Sequence, residues 1–327
     1  MTGRRWPDEA VGAPLGPGSI LWSVAGDPRS LLTGSAAGIM QLMLPGLGAG
    51  VTDHSNFFDD PLDRIYRSVP LIWGSIFGDD DEGGRLGLTI RDKHPDIKGT
   101  DHHGARYHAL DPDIFWWAHA TFTWEMLRAR SLYHPFPLGR PGQEQLYAET
   151  VTWYRRYGIS DRPVPPTLAA FEERFDEICR TELEVTPAVA WVLDPGRNPA
   201  ARGRSARLAG PLRALEPLAR HSTAELQRLL VYGCFPDVVR RRLEVPWSHA
   251  DRVAYLALVA AVRASAPLIA RGALEGLWPE GTPHLAPGTS DEVVLAGPNA
   301  VQRRRAARAE AEAEATADPV IAEPHLG

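Results

Sequence analysis

Histidines cluster in one stretch of the chain, and this clustering is the strongest chemical signal in the sequence. Five of the eleven histidines lie between residues 91 and 121, namely His94, His102, His103, His108 and His119. Histidine is the commonest metal ligand and the side chain that most readily exchanges protons near neutral pH. The stretch therefore points to a metal site or to acid–base chemistry, although His102, His103 and His108 could also be simple polar loop residues.

Two sets of polar residues have helical spacing around this stretch. Arg91, His94 and Lys98 follow an i, i+3, i+7 pattern, which predicts one stripe along a helix. Pro95 disfavours helical geometry at the residue before it, so His94 is expected near a helix end or a kink. His119 and Thr121 lie on a later apolar helix, where a single histidine is more often a hydrogen-bonded core residue than a ligand.

A second polar face is predicted upstream, in the helix that starts at Pro61. Arg64, Arg67 and Ser68 are spaced i, i+3, i+4, which places them on one side of that helix. Nearby aspartates could make this side an ordinary salt-bridged surface. The same three residues could instead form a cationic, hydrogen-bonding wall over a ligand.

Composition narrows the class of protein. The chain has 327 residues, of which 44% are hydrophobic and 23% charged, as in ordinary globular proteins. Its net charge of −6 gives no reason to expect a nucleic-acid partner. With only two cysteines, a metal would have to rely on histidine or carboxylate ligands rather than on sulfur.

Targeting signals are weak in this sequence. An arginine pair lies near the N-terminus, but no uninterrupted apolar segment follows it before Asp27, so we expect no secretory signal and a cytoplasmic location. No run reaches the roughly 18 apolar residues that a transmembrane helix needs. Lys93 and Lys98 are the only lysines, which is typical of a GC-rich, for example actinobacterial, genome.

Helix signals dominate the chain and predict an all-α fold. Asp27-Pro28, Asp60-Pro61 and Asp111-Pro112 each precede an apolar periodic stretch, with Asp as the N-cap and Pro at the first helical position. A further helix start is predicted at Ser222, where a capping box is present. We expect an extended arm at 1–17, one large helical domain at 18–280 and a solvated tail at 281–327.

The order of these segments resembles a known family. The Asp-Pro helix with small residues, DPLDRIYRS, RDKHPDIKG and YHALDPDIFWWAHAT follow one another as in the family that joins the fungal mycophenolate-pathway oxygenase MpaB to the catalytic domain of latex clearing protein, the rubber oxygenase. The resemblance covers about residues 18 to 180. It implies a globin-like helical core that binds haem b through one proximal histidine.

Particular residues take roles through this resemblance. His94 corresponds to the proximal iron ligand, with Arg91 and Lys98 as close supports or partners of the haem propionates, and Pro95 directly follows the ligand. Arg64, Arg67 and Ser68 correspond to polar groups on the distal side, where rubber oxygenases have threonine at the third position. His119 and Thr121 would bind the haem or support the residues that surround it.

The resulting hypothesis is a haem b-dependent oxygenase, or a related oxidative enzyme, that uses dioxygen on a hydrophobic small molecule. One neutral imidazole on iron leaves an open position for dioxygen. Two alternatives belong to other classes of protein. One is a non-haem metal enzyme that draws its ligands from the five clustered histidines, and the other is a non-catalytic helical haem carrier or sensor.

Overall fold

The computed structural model describes residues 15–16, 18–55, 68, 71–194 and 216–265. The described residues are mostly helical, with one small antiparallel hairpin, so the predicted all-α class is confirmed. The predicted tail at 281–327 and all but two residues of the predicted arm at 1–17 lie outside the described residues. The domain bounds and the globin-like character of the core stay predictions.

The helices and strands are numbered in chain order. A 3-10 turn at Pro28–Ser30 leads into the second helix, and residues 71–77 are also helical. The elements are α1 Ile20–Ala25, α2 Leu31–Leu42, α3 Pro45–His54, α4 Asp80–Arg91, β1 Lys98–Thr100, β2 Arg106–His108, α5 Pro112–Tyr133, α6 Arg140–Arg155, α7 Leu168–Thr181, α8 Pro187–Leu193, α9 Glu216–Cys234, α10 Asp237–Arg242 and α11 His249–Ala264.

The long helix α5 is the central element of the core. Its start was predicted correctly, because the Asp111 side chain accepts a hydrogen bond from the Asp113 amide and Pro112 occupies the first turn. Around it pack α1, α2, α3, α6 and α11. Its aromatic residues Trp116 and Trp117 are buried, as their position in a central helix requires.

Small residues bring α2 close to α5. Ala36 and Ala37 are fully buried, and a Cβ atom at Gly34 would lie 3.3 Å from Oε1 of Glu125 on α5. These small side chains therefore let the two helices pack closely. The Asp27 cap is also confirmed, since its side chain accepts a hydrogen bond from the Arg29 amide.

Two glycines seat α4 on the end of α6. Gly83 and Gly87 are four residues apart and so lie on one face of α4. A Cβ at Gly83 would lie 2.2 Å from Nη1 of Arg156, and one at Gly87 would lie 2.4 Å from the Arg156 carbonyl oxygen. The same guanidinium donates to the carbonyls of Ser75 and Gly78. A side chain at Gly87 would clash with the Arg156 backbone and push α4 away from the core, whereas one at Gly83 would displace the Arg156 guanidinium from its carbonyl partners.

The hairpin lies where the sequence predicted only a loop. Lys98 pairs with His108 and Thr100 with Arg106. Tyr107 is the middle residue of β2, and its hydroxyl donates to Asp53 of α3 over 2.7 Å. Strands of three residues are too short to produce a visible alternation in the sequence, which is why the pattern missed them.

A second correction concerns α9. The capping-box pattern predicted that this helix starts at Ser222, but the helix already begins at Glu216 and continues through that position. A serine inside a helix can match the pattern by chance, whereas the true capping box of this region lies at Ser248 and Asp251, at the start of α11.

Among the described residues, no single helix is both long and apolar enough to cross a bilayer. The pair Pro28–Leu42 and Pro45–His54, bent by 97°, has sufficient length and apolar composition only when its two helices are taken together.

Candidate functional site

His94 lies just beyond the C-terminus of α4, in a loop formed by residues 92–97. Helix α4 ends at Arg91, and the His94 amide bonds to the Arg91 carbonyl. The predicted helix end near His94 is therefore confirmed. The predicted single helical stripe of Arg91, His94 and Lys98 is wrong, because Pro95 prevents the helix from continuing and Lys98 lies in β1.

The His94 ring is oriented by a backbone carbonyl. Its Nδ1 lies 2.7 Å from the Ile90 carbonyl oxygen, which can only accept, so Nδ1 carries the proton. The lone pair of the neutral ring is then on Nε2. The ring is half-buried and meets the edge of Phe115 of α5, with centroids 5.8 Å apart. This is the hydrogen-bond pattern that metal-binding histidines commonly have at their second nitrogen.

His108 helps to hold the same loop. Its Nε2 lies 3.0 Å from the Pro95 carbonyl, and its Nδ1 accepts a hydrogen bond from the Leu110 amide. Both ring nitrogens are thus occupied by the backbone. His108 fastens the end of β2 to the residue that follows His94.

The two cations predicted beside His94 are near it in sequence but differ in their contacts. The Arg91 guanidinium pairs with Asp92 at 2.7 Å, and a third of its side chain is exposed. Lys98 is exposed, and its carbonyl lies 3.1 Å from Nε2 of His54. Exposed ion pairs contribute only about 0–1 kcal/mol, so Asp92 holds Arg91 weakly.

His119 is buried in an aromatic cage between α5 and α6. The cage consists of Trp153, Tyr154 and Tyr157, whose ring centroids lie 4.6, 5.1 and 5.8 Å from that of His119. Nε2 of His119 donates to the Thr150 carbonyl over 2.9 Å. Burial lowers its pKa to about 3, against a smaller opposing effect of the Thr150 bond, so the ring is neutral.

The other nitrogen of His119 is a buried acceptor. Its Nδ1 has no hydrogen-bond partner among the described residues. Phe115 connects this cage to His94, because it also contacts Tyr157 at 5.3 Å and is one helical turn before His119 on α5. The two histidines therefore border one continuous aromatic layer.

Thr121 lies on a different side of α5 from His119. Its hydroxyl donates to the Ala118 carbonyl and accepts from Nε2 of Gln41 on α2, both at 2.8 Å. Successive side chains on a helix are about 100° apart, so residues two apart do not share a face. Thr121 ties α5 to α2, and its predicted role in supporting a cofactor stays a prediction.

The second predicted polar face is only partly covered by the structure. Ser68 is helical and half-buried, while Arg64 and Arg67 lie outside the described residues. Their predicted role on the distal side of a haem therefore stays a prediction.

Several residues that shape this region gave no recognisable signal in the sequence. Phe115 lies within YHALDPDIFWWAHAT but takes no role through the resemblance, and Tyr157 and Arg156 belong to none of the sequence motifs described above. Glu125 was also missed. It is buried on α5, and burial raises the pKa of its carboxyl to about 8. Gly83 and Gly87 are four residues apart on one face of α4, and this spacing could have indicated that another element packs closely there.

His102 and His103 approach a carboxylate that is distant in sequence. Their Nε2 atoms lie 2.6 and 2.7 Å from Oε1 of Glu184. In the described part of the chain this is the one group of three or more potential ligands close enough to hold a metal ion. The structure does not place His94, His108 or His119 in that group.

A cleft of about 170 Å³ lies beside the hairpin, and His94 is not among the residues that line it. Its walls include Tyr107, Trp117, Ile178, Asp101 and Glu182. This volume is below the roughly 300 Å³ at which small-molecule pockets usually begin.

Comparison with known proteins gives one clear result. Residues 22–264, which are 243 of the 327 residues, match the family described as ER-bound oxygenase mpaB/B'/Rubber oxygenase, catalytic domain. No curated protein and no solved structure matches the chain. The match spans α1 to α11 and includes every described residue of the region around His94 and His119.

Proposed function

The chain belongs to the family of mpaB and rubber oxygenase catalytic domains, and we propose that it is a haem b-dependent oxygenase whose iron is held by His94. The family is one of oxygenases, so the enzyme acts with dioxygen on a substrate. The observation that supports the haem ligand is the hydrogen bond from His94 Nδ1 to the Ile90 carbonyl.

The residues around His94 fit such a group. The Ile90 carbonyl fixes the tautomer in which Nε2 carries the lone pair, and the bond makes the ring more basic. His108 restrains the loop from the other side through the Pro95 carbonyl. Gly83 and Gly87 set the position of α4 against Arg156. His94 is thus held by the end of α4 and, through His108, by the end of β2, and α4 itself packs on Arg156.

Haem iron bound by one neutral imidazole supplies an open coordination position for the activation of dioxygen. The chain's own residues would provide the rest. Arg91 and Lys98 offer positive charges for the propionates, since the exposed Asp92 can be displaced from Arg91 at small cost. Phe115 excludes water from one side of the His94 ring, and an aromatic surface of this kind suits a hydrophobic substrate.

The distal polar groups belong to the same proposal. Arg64, Arg67 and Ser68 would donate hydrogen bonds to negative charge that develops on oxygen during turnover. Such donors stabilise charge most strongly when they are fixed in a dry site. This proposed role is supported by the spacing of the three residues, which resembles the spacing found in the family.

Absorption spectra of the purified full-length protein test this proposal. After haem-replete expression, the wild-type protein should show a Soret band with stoichiometric haem and should consume dioxygen when given a reductant and an apolar substrate. His94→Ala should lose the band. His102→Ala, which changes a histidine in the same stretch that we do not assign to haem, should keep it. A folded but colourless wild-type protein, or an unchanged spectrum in His94→Ala, would overturn the proposal.

A further inference from the structure

A second group of potential metal ligands lies at the tip of the hairpin, apart from the residues assigned to haem. His102 and His103 direct their Nε2 atoms at the same oxygen of Glu184, at 2.6 and 2.7 Å. The two imidazole rings are 4.2 Å apart, and all three ligand atoms lie within 4.8 Å of one another. Two imidazoles and one carboxylate that converge on one point are a ligand set typical of zinc and related cations.

The hairpin tip holds its two histidines in a fixed turn. The Asp101 carboxylate accepts hydrogen bonds from the amides of His103 and Ala105, both at 2.9 Å. Gly104 closes the turn with φ = +82°, a conformation that glycine adopts without strain. The backbone that carries the two imidazoles is therefore set before any ligand binds, which reduces the entropy lost on binding.

Glu184 is anchored independently, on the opposite side of the group. Its amide donates to the Met43 carbonyl at the end of α2, and its own carbonyl accepts from the Thr186 amide. The Thr186 hydroxyl in turn donates to the Leu42 carbonyl over 2.7 Å. The carboxylate therefore projects from a segment tied to the core, whereas the imidazoles project from the hairpin.

Of the distances among the three ligand atoms, two are shorter than those around a bound zinc ion, and the third can be longer. A tetrahedral zinc ion with bonds of about 2.0–2.1 Å keeps its ligand atoms roughly 3.3 Å apart. The two nitrogen–oxygen separations are shorter than this, and the remaining separation reaches at most 4.8 Å. Small side-chain rotations would equalise them, and these are available because His103 is 57% and His102 31% exposed.

We propose that His102, His103 and Glu184 form a binding site for a zinc-class divalent cation that fastens the hairpin to the segment between α7 and α8. The ion would replace the His103–Glu184 hydrogen bond and the close His102–Glu184 contact with coordinate bonds and leave further positions for water. Because the hairpin begins four residues after His94, such a clip would also restrain the loop that carries His94. The site is separate from the proposed haem site and does not depend on it.

Titration of the chelator-treated, haem-free full-length protein tests the site. Co²⁺ serves as a spectroscopic probe, because its visible bands reveal nitrogen and oxygen ligands, and Zn²⁺ is titrated calorimetrically. We expect one equivalent of either ion to bind. Glu184→Gln and His103→Ala should each weaken binding by roughly 100-fold or more, since even residues that only support metal ligands contribute about 10–100-fold.

Matched controls separate this site from general histidine binding and from the haem proposal. His249→Ala removes an exposed histidine at the start of α11 and should bind Co²⁺ like the wild type. His94→Ala should also keep the cobalt spectrum, whereas Glu184→Gln should keep the haem Soret band. Far-UV circular dichroism checks that each variant is folded.

Three results would overturn the assignment. The first is that wild-type protein binds neither ion more tightly than His103→Ala does. The second is that Glu184→Gln, while folded, binds Co²⁺ with unchanged affinity and spectrum. The third is that His249→Ala loses as much affinity as the two ligand variants, which would indicate scattered surface binding.

Discussion

His94 and His119 are anchored by the same chemistry but lie in opposite surroundings. Each ring donates one N–H to a backbone carbonyl, His94 through Nδ1 to Ile90 and His119 through Nε2 to Thr150. His94 is half-buried at the end of a helix, and only 6% of His119 is exposed, within its aromatic cage. Burial therefore separates a ring that is only partly covered from one that is enclosed in the core.

The largest difference between the two histidines is expected in the free energy of unfolding. His119→Ala should lower the free energy of unfolding of the haem-free protein by about 3 kcal/mol, because it leaves a cavity in the cage and an unpaired Thr150 carbonyl. His94→Ala should change it by less than about 1 kcal/mol, since the ring is half-buried and its hydrogen bond to the Ile90 carbonyl is only partly buried. Urea denaturation measures both values. Equal losses of stability in the two variants would contradict the different burial of the two rings.

The pH dependence of stability separates His119 from a second buried group, Glu125. The pKa of His119 is lowered from 6.5 to about 3, so the unfolded chain binds more protons than the folded one between these values, and stability falls as the pH falls. The pKa of Glu125 is raised from 4.5 to about 8, so the folded chain binds more protons in that range, and stability falls as the pH rises.

The two effects should oppose each other between pH 4.5 and 6.5. His119 alone should affect stability between about pH 3 and 4.5, and Glu125 alone between pH 6.5 and about 8. Each contributes at most about 1.4 kcal/mol per pH unit. Relative to wild type, His119→Gln should flatten the loss of stability below pH 4.5, and Glu125→Gln should flatten the loss between pH 6.5 and 8. Urea midpoints at a series of pH values provide the test. A Glu125→Gln profile parallel to that of wild type would show that this carboxyl is not held protonated.

A smaller effect than that of His119→Ala should appear at Phe115, the residue that joins the two regions. Phe115→Leu should cost about 1 kcal/mol, because it removes edge contacts with His94 and Tyr157 while keeping most of the apolar volume. A double-mutant cycle with His94→Ala should give a coupling of about 0.5–1 kcal/mol. If the two substitutions are additive, the His94 ring does not pack on Phe115 in solution.

Local signals in the sequence predicted much of the fold. The Asp-Pro pair at Asp111 specified the start of α5, because a side-chain cap and a fixed φ angle act within a few residues. Pro95 placed His94 near a helix end by an equally local steric effect.

Contacts between distant segments could not be predicted in this way. Glu184 meets His103 across 81 residues, and nothing near Glu184 in the sequence indicates a partner. The contact of Gly83 with Arg156 depends on how α4 crosses the end of α6, which a helical pattern does not specify. The predicted stripe of Arg91, His94 and Lys98 failed because a regular spacing was extended past the proline that interrupts it. The haem itself, and the roles of Arg64, Arg67 and Ser68, stay predictions.

Chemical rescue of a ligand cavity tests the central claim most directly. Haem-free His94→Gly and His119→Gly proteins would be titrated with haem, with and without added imidazole, and followed by their Soret bands. If His94 holds the iron, His94→Gly should take up haem in a defined five- or six-coordinate state only when imidazole is present, while His119→Gly should need none. If His94→Gly gives the wild-type spectrum without imidazole, or if rescue occurs at His119 instead, the assignment of His94 as the iron ligand is contradicted.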